Sequence, residues 1–334
     1  MVRNLFQSCL FFFLPIIAFC QDAYFSQFYA SPLTLNPALT GLAPGDIRAV
    51  INYREQSKSL IPYSTYAASA DMKILRSVLQ YDVLSCGAFF LNDDIANGTL
   101  KSLQAMASLA YHKSFGATRK HFLSLGLQPG IFQRQLNTGI LQFPNQWDDV
   151  NKNYDASIQH GLSFSSNQST VLDMNAGVFW YHFIEDNSSV FAGFSAYHLN
   201  EPIESFLGNN ERISRKYMFH AGRRIPFNNK IGMVPNALYM VQNKIAQITG
   251  GTSLEVKISE VAFVKAGVWY RYLDNSFITS VAFGLSSLDI GISYDMYSSI
   301  QQLANTGGGL EFSLIYSPVM KNIISLKPNP GISF

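Results

Sequence analysis

Histidine is the side chain best suited to proton transfer and metal binding near neutral pH. The chain has six histidines, spread singly along the sequence: His112, His121, His160, His182, His198 and His220. No pair has the His-x-x-x-His spacing of a helical zinc site, and the sequence contains no Cys-x-x-Cys pair. The sequence therefore predicts neither a metal nor another cofactor.

Ser195 and His198 come closest to a nucleophile with its base. Successive side chains of a strand point to opposite faces, so residues three apart on one strand are not expected to meet. The glycine run at 307–309 has no helix or lysine after it, and we interpret it as a loop rather than a phosphate site. The sequence thus predicts no catalytic residues and a protein that is not an enzyme.

Residues 1–20 have the features of a secretory signal peptide. Arg3 supplies the positive start, an apolar stretch covers 9–19, and Ala18 and Cys20 are small residues at the positions that signal peptidase reads. The alternative is acylation of Cys20, although the bulky Phe19 precedes it. Either way only Cys86 remains as a free cysteine within the exported chain, which excludes an intrachain disulfide framework.

The composition narrows the fold to two classes. Charged residues make up 14% of the chain and aromatic residues another 14%, whereas about 25% charged residues are usual in soluble domains. With 24 Lys and Arg against 22 Asp and Glu, the near-neutral charge gives no indication of a nucleic-acid partner. No apolar run beyond the leader is long enough for a spanning helix, which leaves a soluble β-sandwich or a membrane β-barrel.

The hydrophobic periodicity favours the barrel. Several stretches alternate strictly between apolar and polar residues, as in Asp-Ile-Gly-Ile-Ser-Tyr-Asp-Met-Tyr at 289–297. Alternation over roughly 9 to 11 residues, with aromatics toward the strand ends, is typical of strands that cross an outer membrane. Strands of soluble sandwiches are usually shorter, at about 5 or 6 residues. The sequence predicts an all-β, transmembrane antiparallel barrel.

Fourteen segments have this pattern, and an even number is what a bacterial single-chain barrel requires. They are 47–55, 63–73, 84–92, 101–113, 121–134, 171–182, 189–199, 215–225, 231–241, 247–258, 261–272, 277–284, 287–297 and 308–316. With a periplasmic N-terminus, connections after even-numbered strands are expected to be short. The connection 74–83 is the one exception, and the longest connection, 135–170, is expected outside the cell.

The stretch before the first strand is unlike a disordered linker, which is normally poor in aromatics. It contains Tyr24, Phe25, Phe28 and Tyr29. Its Ser-Pro and Asn-Pro pairs, at 31–32 and 36–37, favour turns. We predict that residues 21–46 form a plug at the periplasmic side of the barrel. The expected domains are a signal peptide at 1–20, the plug at 21–46, the barrel at 47–317 and a tail at 318–334.

This stretch also resembles a known family. The similarity is dense from Asp22 to Asp71 and is carried mainly by Phe25, Ser26, Gln27, Tyr29, Pro32, Asn36, Pro37, Ala38 and Gly41. Together these residues resemble the PorP/SprF family, outer-membrane proteins of the type IX secretion and gliding machinery of Bacteroidota. The resemblance implies a non-enzymatic protein that supports export or surface attachment of secreted proteins. Its implied partners are type IX components, or a secreted surface protein with a type IX C-terminal domain, besides outer-membrane lipid.

A second function is compatible with the same stretch. The tripeptide Asn36-Pro37-Ala38 is similar to one in the N-terminal hatch of fatty-acid-transporter-like barrels. The alternative hypothesis is therefore a channel for apolar small molecules. Such a channel is expected to have a displaceable plug and a continuous apolar pocket, whereas a partner-binding barrel is expected to be filled.

Two further groups of residues are candidate sites. The first comprises polar residues that alternation points into the lumen: Arg48, Asn52, Arg54, Asp71 and Glu311. They are expected either to fill the barrel as a paired network or to hold the plug, and Glu311 is expected to pair with Arg48 or Arg54 where the first and last strands meet. The second is Trp147, Asp148 and Asp149 in the longest loop, which either folds onto itself or binds a partner.

Overall fold

The computed structural model describes residues 22–56, 62–76, 82–116, 119–155, 157–158, 166–184, 188–204, 211–297 and 308–319. The predicted leader, His160, Gly307 and the tail beyond residue 319 lie outside these ranges. Fourteen antiparallel strands close into a barrel, which confirms the predicted class and strand number.

The barrel strands are numbered here in chain order. They are β1 (Ile47–Gln56), β2 (Tyr63–Arg76), β3 (Val83–Ile95), β4 (Leu100–Phe115), β5 (His121–Leu136), β6 (Gln168–Phe183), β7 (Ser189–Tyr197), β8 (Lys216–Pro226), β9 (Ile231–Gln242), β10 (Ile245–Lys257), β11 (Ala262–Arg271), β12 (Ser276–Leu285), β13 (Leu288–Tyr297) and β14 (Gly309–Tyr316). Each strand pairs with its sequence neighbours, and β14 pairs with β1. Closure leaves no strand edge of the sheet open, as a lipid environment demands.

The two faces of the wall follow the predicted alternation. On β13, Ile290, Ile292 and Tyr294 are exposed on the outer surface, at 46%, 46% and 44%. The residues between them, Ser293 among them, are buried or half-buried on the inner side. The outer surface is therefore an apolar band that suits lipid, and the polar residues face the lumen.

The two mouths of the barrel differ. The mouth at which β1 begins and β14 ends has connections such as 227–230, 258–261 and 286–287, and is called the short-turn mouth. The opposite mouth has the connections 137–167, 198–215 and 298–308, and is called the long-loop mouth. The expected exception between β2 and β3 is smaller than predicted, because both strands extend and leave only residues 77–82 between them.

Two short hairpins lie in the loops of the long-loop mouth. Trp147–Asp148 pairs with Asn153–Tyr154, and Ile203–Glu204 pairs with Glu211–Arg212. Within the described part of the chain, no helix is both long and apolar enough to cross a membrane.

The core of the protein lies inside the barrel. The residues before β1, from Asp22 to Asp46, are called the lumen segment, and most of them are buried. The segment contains two 3-10 turns, Phe28–Ala30 and Pro37–Leu39, on either side of a four-residue helix, Pro32–Leu35. The largest apolar cluster joins this segment to the wall through Leu35, Ala38, Leu39, Phe179, Tyr181, Phe191 and Trp269.

Candidate functional site

The lumen segment follows the barrel interior from one mouth to the other. At its start, the backbone N–H of Asp22 donates to Oε1 of Gln242, which ends β9 at the long-loop mouth. At its end, the backbone N–H of Asp46 donates to the carbonyl of Pro318 at the short-turn mouth. The sequence predicts this segment at the periplasmic side of the barrel. In the structure its contacts extend from the short-turn mouth to the long-loop mouth.

A turn in the middle of the segment is shaped by Asn36. Its side-chain Oδ1 accepts from the backbone N–H of Ala38 at 2.9 Å, and Pro37 supplies the fixed φ of the following 3-10 turn. Its Nδ2 donates to the wall carbonyls of Val178 at 3.0 Å and Phe194 at 3.3 Å. Asn36 therefore shapes the turn and fastens it to β6 and β7 with one side chain.

Glycines in the wall make room for this turn. A Cβ on Gly126 of β5 would lie 2.3 Å from the backbone N of Ala38, and one on Gly177 of β6 would lie 2.0 Å from Asn36 Oδ1. Gly126 and Gly177 face each other in the β5–β6 register. The turn and the glycines thus form one close-packed contact, in which larger wall residues would displace the segment.

A charged cluster surrounds Ser26 in the half of the barrel near the long-loop mouth. Ser26 Oγ donates to Asp295 at 2.6 Å and accepts from Arg54 at 2.5 Å and from Arg271 at 2.8 Å. Glu311 accepts from the backbone N–H groups of Ser26 at 2.6 Å and Gln27 at 2.8 Å. This Ser26 cluster joins four strands of the wall to two consecutive residues of the lumen segment.

The guanidinium groups of the Ser26 cluster also contact an aromatic ring. The Cζ atoms of Arg54 and Arg271 each lie 5.5 Å from the centre of the Tyr24 ring. Cation–π contacts of this kind are stronger where water is excluded. Arg271 and Asp295 converge on Ser26 from two different strands, which is visible only in the tertiary structure.

A second cluster holds the segment near the short-turn mouth. Arg48 donates from Nε to Asp71 at 2.9 Å and from Nη2 to the carbonyl of Leu39 at 2.9 Å. Asp71 also accepts from the backbone N–H of Gly41, whose φ of 75° favours glycine. Asn52, between the two clusters on β1, donates to the carbonyl of Ala30. The candidate residues Arg48, Asn52 and Asp71 thus all reach the lumen segment, directly or through each other.

A third cluster surrounds Asp22 and was not foreseen from the sequence. Its carboxylate lies 2.8 Å from His198 Nε2 and 3.1 Å from Lys216 Nζ, and His198 Nδ1 lies 2.9 Å from Asp173. The sequence contained one indication of this cluster: Asp22 is the one acid between residues 22 and 45. A carboxylate buried inside a barrel needs a basic partner, so a partner for Asp22 could have been sought among the lumen-facing bases.

The protonation of the Asp22 cluster follows from its neighbours. Burial disfavours the charged imidazolium, but the carboxylates of Asp22 and Asp173 outweigh this effect and raise the pKa of His198 to about 9. Burial likewise opposes ionisation of Asp22, yet Lys216 and His198 hold its pKa well below the usual range. The cluster is therefore a set of paired charges at neutral pH.

Ser195 and His198 are both buried, contrary to the prediction that they lie on opposite faces. His198 follows the last residue of β7 and has a φ of 56°, which turns its side chain back into the lumen. Ser195 Oγ donates instead to the carbonyl of Leu35 at 2.8 Å. The two side chains are thus engaged separately with the lumen segment.

The remaining motif residues take structural positions in the segment. Phe25 packs in a second apolar cluster with Phe89 and Met106, and Pro32 is the first residue of the short helix. Tyr29 stacks on Trp269 with ring centres 5.1 Å apart.

The candidate loop residues form the short hairpin of the long-loop mouth. Trp147 is 41% exposed, contacts the ring of Tyr154 edge-on at 5.1 Å, and donates from Nε1 to Asp149. Asp148 accepts from the backbone N–H groups of Val150 and Asn151 and so fixes the turn. The loop is thus folded on itself and still presents an aromatic surface.

In architecture the protein belongs to the class of outer-membrane barrels. The toluene transporter TbuX of Ralstonia pickettii has 12% identity and a TM-score of 0.51, over 86% of this chain and 92% of that one. The toluene transporter TodX of Pseudomonas putida has 10% identity and a TM-score of 0.51, over 86% and 93%. A FadL homologue of Pseudomonas aeruginosa has 11% identity and a TM-score of 0.50, over 84% and 92%. At these identities the likeness concerns the fold alone.

The family is defined by sequence. The profile described as type IX secretion system membrane protein PorP/SprF matches residues 17–316, and the chain belongs to this family. It is accordingly an outer-membrane protein, as the resemblance implied. A search of curated proteins found no match.

Proposed function

We propose that this protein is a non-enzymatic component of the type IX secretion system that supports export or surface attachment of secreted or gliding proteins. Its partners are then type IX components, or a secreted surface protein with a type IX C-terminal domain. The observation that carries the proposal, beside the family, is that the lumen holds the segment 22–46 through three clusters of buried charges. A barrel filled in this way suits protein binding better than passage of a solute.

The lumen segment serves as a permanent plug in this proposal. Release of the segment would take Asp22 away from His198 and Lys216, and removing one partner of a buried ion pair costs about 3–5 kcal/mol. At the other two clusters, release would leave the charged groups of the wall without the hydrogen bonds that the segment makes to them. The plug then corresponds to residues 21–46 and the barrel to 47–317, after cleavage of the leader 1–20 and before the tail 318–334.

The buried acids and bases have a structural use that accounts for their presence without catalysis. Asp22, His198 and Asp173 form the nearest approach to a catalytic array, and each engages a charged neighbour that fixes the segment. We therefore propose a role in which the barrel binds proteins and does not transform a substrate.

The alternative, a channel for apolar small molecules, shares its fold with the hydrocarbon transporters described above. It requires an apolar path, whereas an apolar solute would have to separate buried, paired charges along this lumen and would offer them no hydrogen bonds in return. The Ser26 cluster, with Arg54, Arg271, Asp295 and Glu311, lies across such a path.

Deletion of the gene tests the proposal. We expect one or a few surface proteins to disappear from the cell surface, or type IX export to fall generally, with restoration by the wild-type gene. Quantitative proteomics of surface and medium fractions provides the measurement. Unchanged secretion together with reduced uptake of a fatty acid or toluene would instead favour the channel.

A further inference from the structure

A cavity of about 490 Å³ lies inside the barrel beside the lumen segment. Turn residues of the short-turn mouth, among them Ser259, Glu260 and Ser287, line it, so the cavity opens at that mouth. Short turns face the periplasm in bacterial outer-membrane barrels. The lumen segment does not fill this space, because its Asn36 turn packs against the opposite wall, on β5, β6 and β7.

The inner end of the cavity is formed by the segment itself. Gln27 Oε1 accepts from Ser313 Oγ at 3.0 Å, and Tyr29 donates to Ser280 Oγ at 3.0 Å. Ser26, the neighbour of Gln27, belongs to the buried charge cluster with Asp295. The cavity is thus a blind pocket that faces the periplasm and is bounded by the plug toward the cell exterior.

The wall of the pocket carries charges of both signs. Glu255 accepts from Arg224 Nη1 at 3.3 Å and lies 3.2 Å from Lys265 Nζ. Lys265 also lies 4.8 Å from the centre of the Phe263 ring. Asp289 lines the same pocket from β13. With Arg48, Lys257 and Glu260 also in the lining, basic side chains number four and acidic ones three, so neither an anion nor a cation is strongly favoured as a whole.

Hydroxyl groups and aromatic rings complete the lining. They include Ser286, Ser287, Ser313, Tyr181, Phe183 and Phe263. An apolar solute would strip water from the charged groups without replacing their hydrogen bonds, and a polyanion would meet Glu255 and Asp289. A peptide offers backbone donors and acceptors, charged side chains of either sign and apolar groups, and so matches every part of this lining.

We propose that this pocket binds a short peptide segment of a partner protein that enters from the periplasm. The volume lies within the range of about 300–1,000 Å³ that is common for pre-formed ligand pockets. This inference rests on the proposed function, since it gives a type IX partner a place of attachment on the barrel.

Photocrosslinking in the native cells tests the inference. The full-length protein carries p-benzoylphenylalanine in place of Phe263, which lines the pocket, or of Phe283, which is 44% exposed on the outer surface. Phe263 of β11 pairs with Gly284 of β12, the residue next to Phe283, so the two positions differ in height by one residue. We expect irradiation at position 263 to give an adduct that mass spectrometry maps to one segment of one protein, and position 283 to give lipid adducts.

Pocket-filling variants establish that the adduct comes from the pocket. Ala282 lines the pocket, whereas Ala266 lies on the outer surface. We expect Ala282→Trp to abolish the protein adduct at position 263 and Ala266→Trp to leave it unchanged, each protein being shown to be folded by its heat-modifiable migration. If Ala282→Trp does not fold, Ser287→Trp in the turn at the mouth replaces it.

Lipid adducts alone at position 263, protein adducts that survive a folded pocket-filling variant, or no adduct would overturn the inference. The proposed function fails independently, if deletion of the gene leaves secretion unchanged. Secretion that is lost on deletion but normal in folded Ala282→Trp would retain the function and reject the pocket.

Discussion

Arg54 of β1 and Glu311 of β14 lie directly opposite each other where the first and last strands of the barrel pair, and their side chains form an ion pair. Both side chains are about 1% exposed. Because Glu311 also accepts from Ser26 and Gln27, this pair joins the closure of the barrel to the position of the lumen segment.

Breaking this pair is expected to destabilise the barrel. Arg54→Gln should lower the free energy of unfolding by about 3–5 kcal/mol, since it leaves Glu311 as an uncompensated buried charge. Glu311→Gln should cost less, because Arg54 keeps its ion pair with Asp295 at 3.0 Å. The double variant should lose clearly less than the sum, as measured by urea titration of heat-modifiable migration. Arg48→Gln combined with Glu311→Gln is the control, and its losses should add, because Arg48 pairs with Asp71 instead. Plain additivity for Arg54 with Glu311 would show that the pair contributes no coupling energy.

The Asp22 cluster should give the protein a stability that declines in alkaline solution. The raised pKa of His198, about 9 against about 6.5 for a free histidine, means that its contribution is complete below about pH 6.5 and disappears as the pH rises through about 9. Asp22 acts in the opposite direction. Because its pKa is lowered by folding, its contribution to stability is complete at pH values above the usual pKa of an aspartate and is lost on strong acidification.

Thermal unfolding of the wild type and His198→Gln between pH 5 and pH 10 measures this effect. The wild type should lose stability toward pH 10, by up to about 3 kcal/mol from the pKa difference of His198, whereas His198→Gln should be less stable and should lack this contribution to the alkaline decline. His121→Gln, outside this cluster, should retain the wild-type profile. A wild-type profile with no alkaline decline would show that His198 is neutral in the folded barrel.

The wall glycines that contact the Asn36 turn should be intolerant of even a methyl group. Gly126→Ala places its Cβ against the backbone of the Asn36 turn and is expected to cost about 1–3 kcal/mol, with easier proteolysis of the lumen segment in purified barrels. Gly250→Ala is the matched control, because its Cβ would lie 4.0 Å from Ala237 Cβ and should be tolerated. Equal stability and equal protease resistance of the two variants would show that the turn does not need this space.

Replacement of Asn36 tests what holds the turn. Asn36→Asp keeps the oxygen that caps Ala38 but replaces the donor to Val178 and Phe194 by a second acceptor. We expect a loss of about 1–3 kcal/mol or more, because a buried carboxylate would then face two carbonyl groups. Asn36→Ser, which retains a capping oxygen without the charge, should lose less. Asn36→Asp with wild-type stability in the same urea titration would exclude the amide donor as a fastening group.

The exposed hairpin is the place to test for a partner outside the cell. If Trp147 anchors a secreted protein, Trp147→Ala should weaken binding by about 2 kcal/mol or more and release that protein into the medium, with the barrel itself unaffected. Val150→Ser is the control, as Val150 is 87% exposed at the tip of the same hairpin and makes little contact there. Retention of all surface proteins by Trp147→Ala, in the proteomic comparison, would identify the hairpin as a loop folded only onto itself.

The sequence by itself determined the barrel. Strand periodicity is a local property, since a side chain's face depends only on its parity along the strand, and so Arg48, Asn52, Arg54, Asp71 and Glu311 could be assigned to the lumen. The strand number and the pairing of β1 with β14 followed from the same pattern, because a sheet in lipid must close.

The tertiary structure decided which of these residues meet. Glu311 had two possible partners, and the register of β1 against β14 selects Arg54. The sequence of the lumen segment has no regular periodicity, so its path through the barrel could not be predicted from it. Its extension to the long-loop mouth and the pairing of Asp22 with His198 are therefore known only from the structure. Ion pairs depend on the approach of distant side chains to within a few ångströms, and one sequence alone carries no record of that distance.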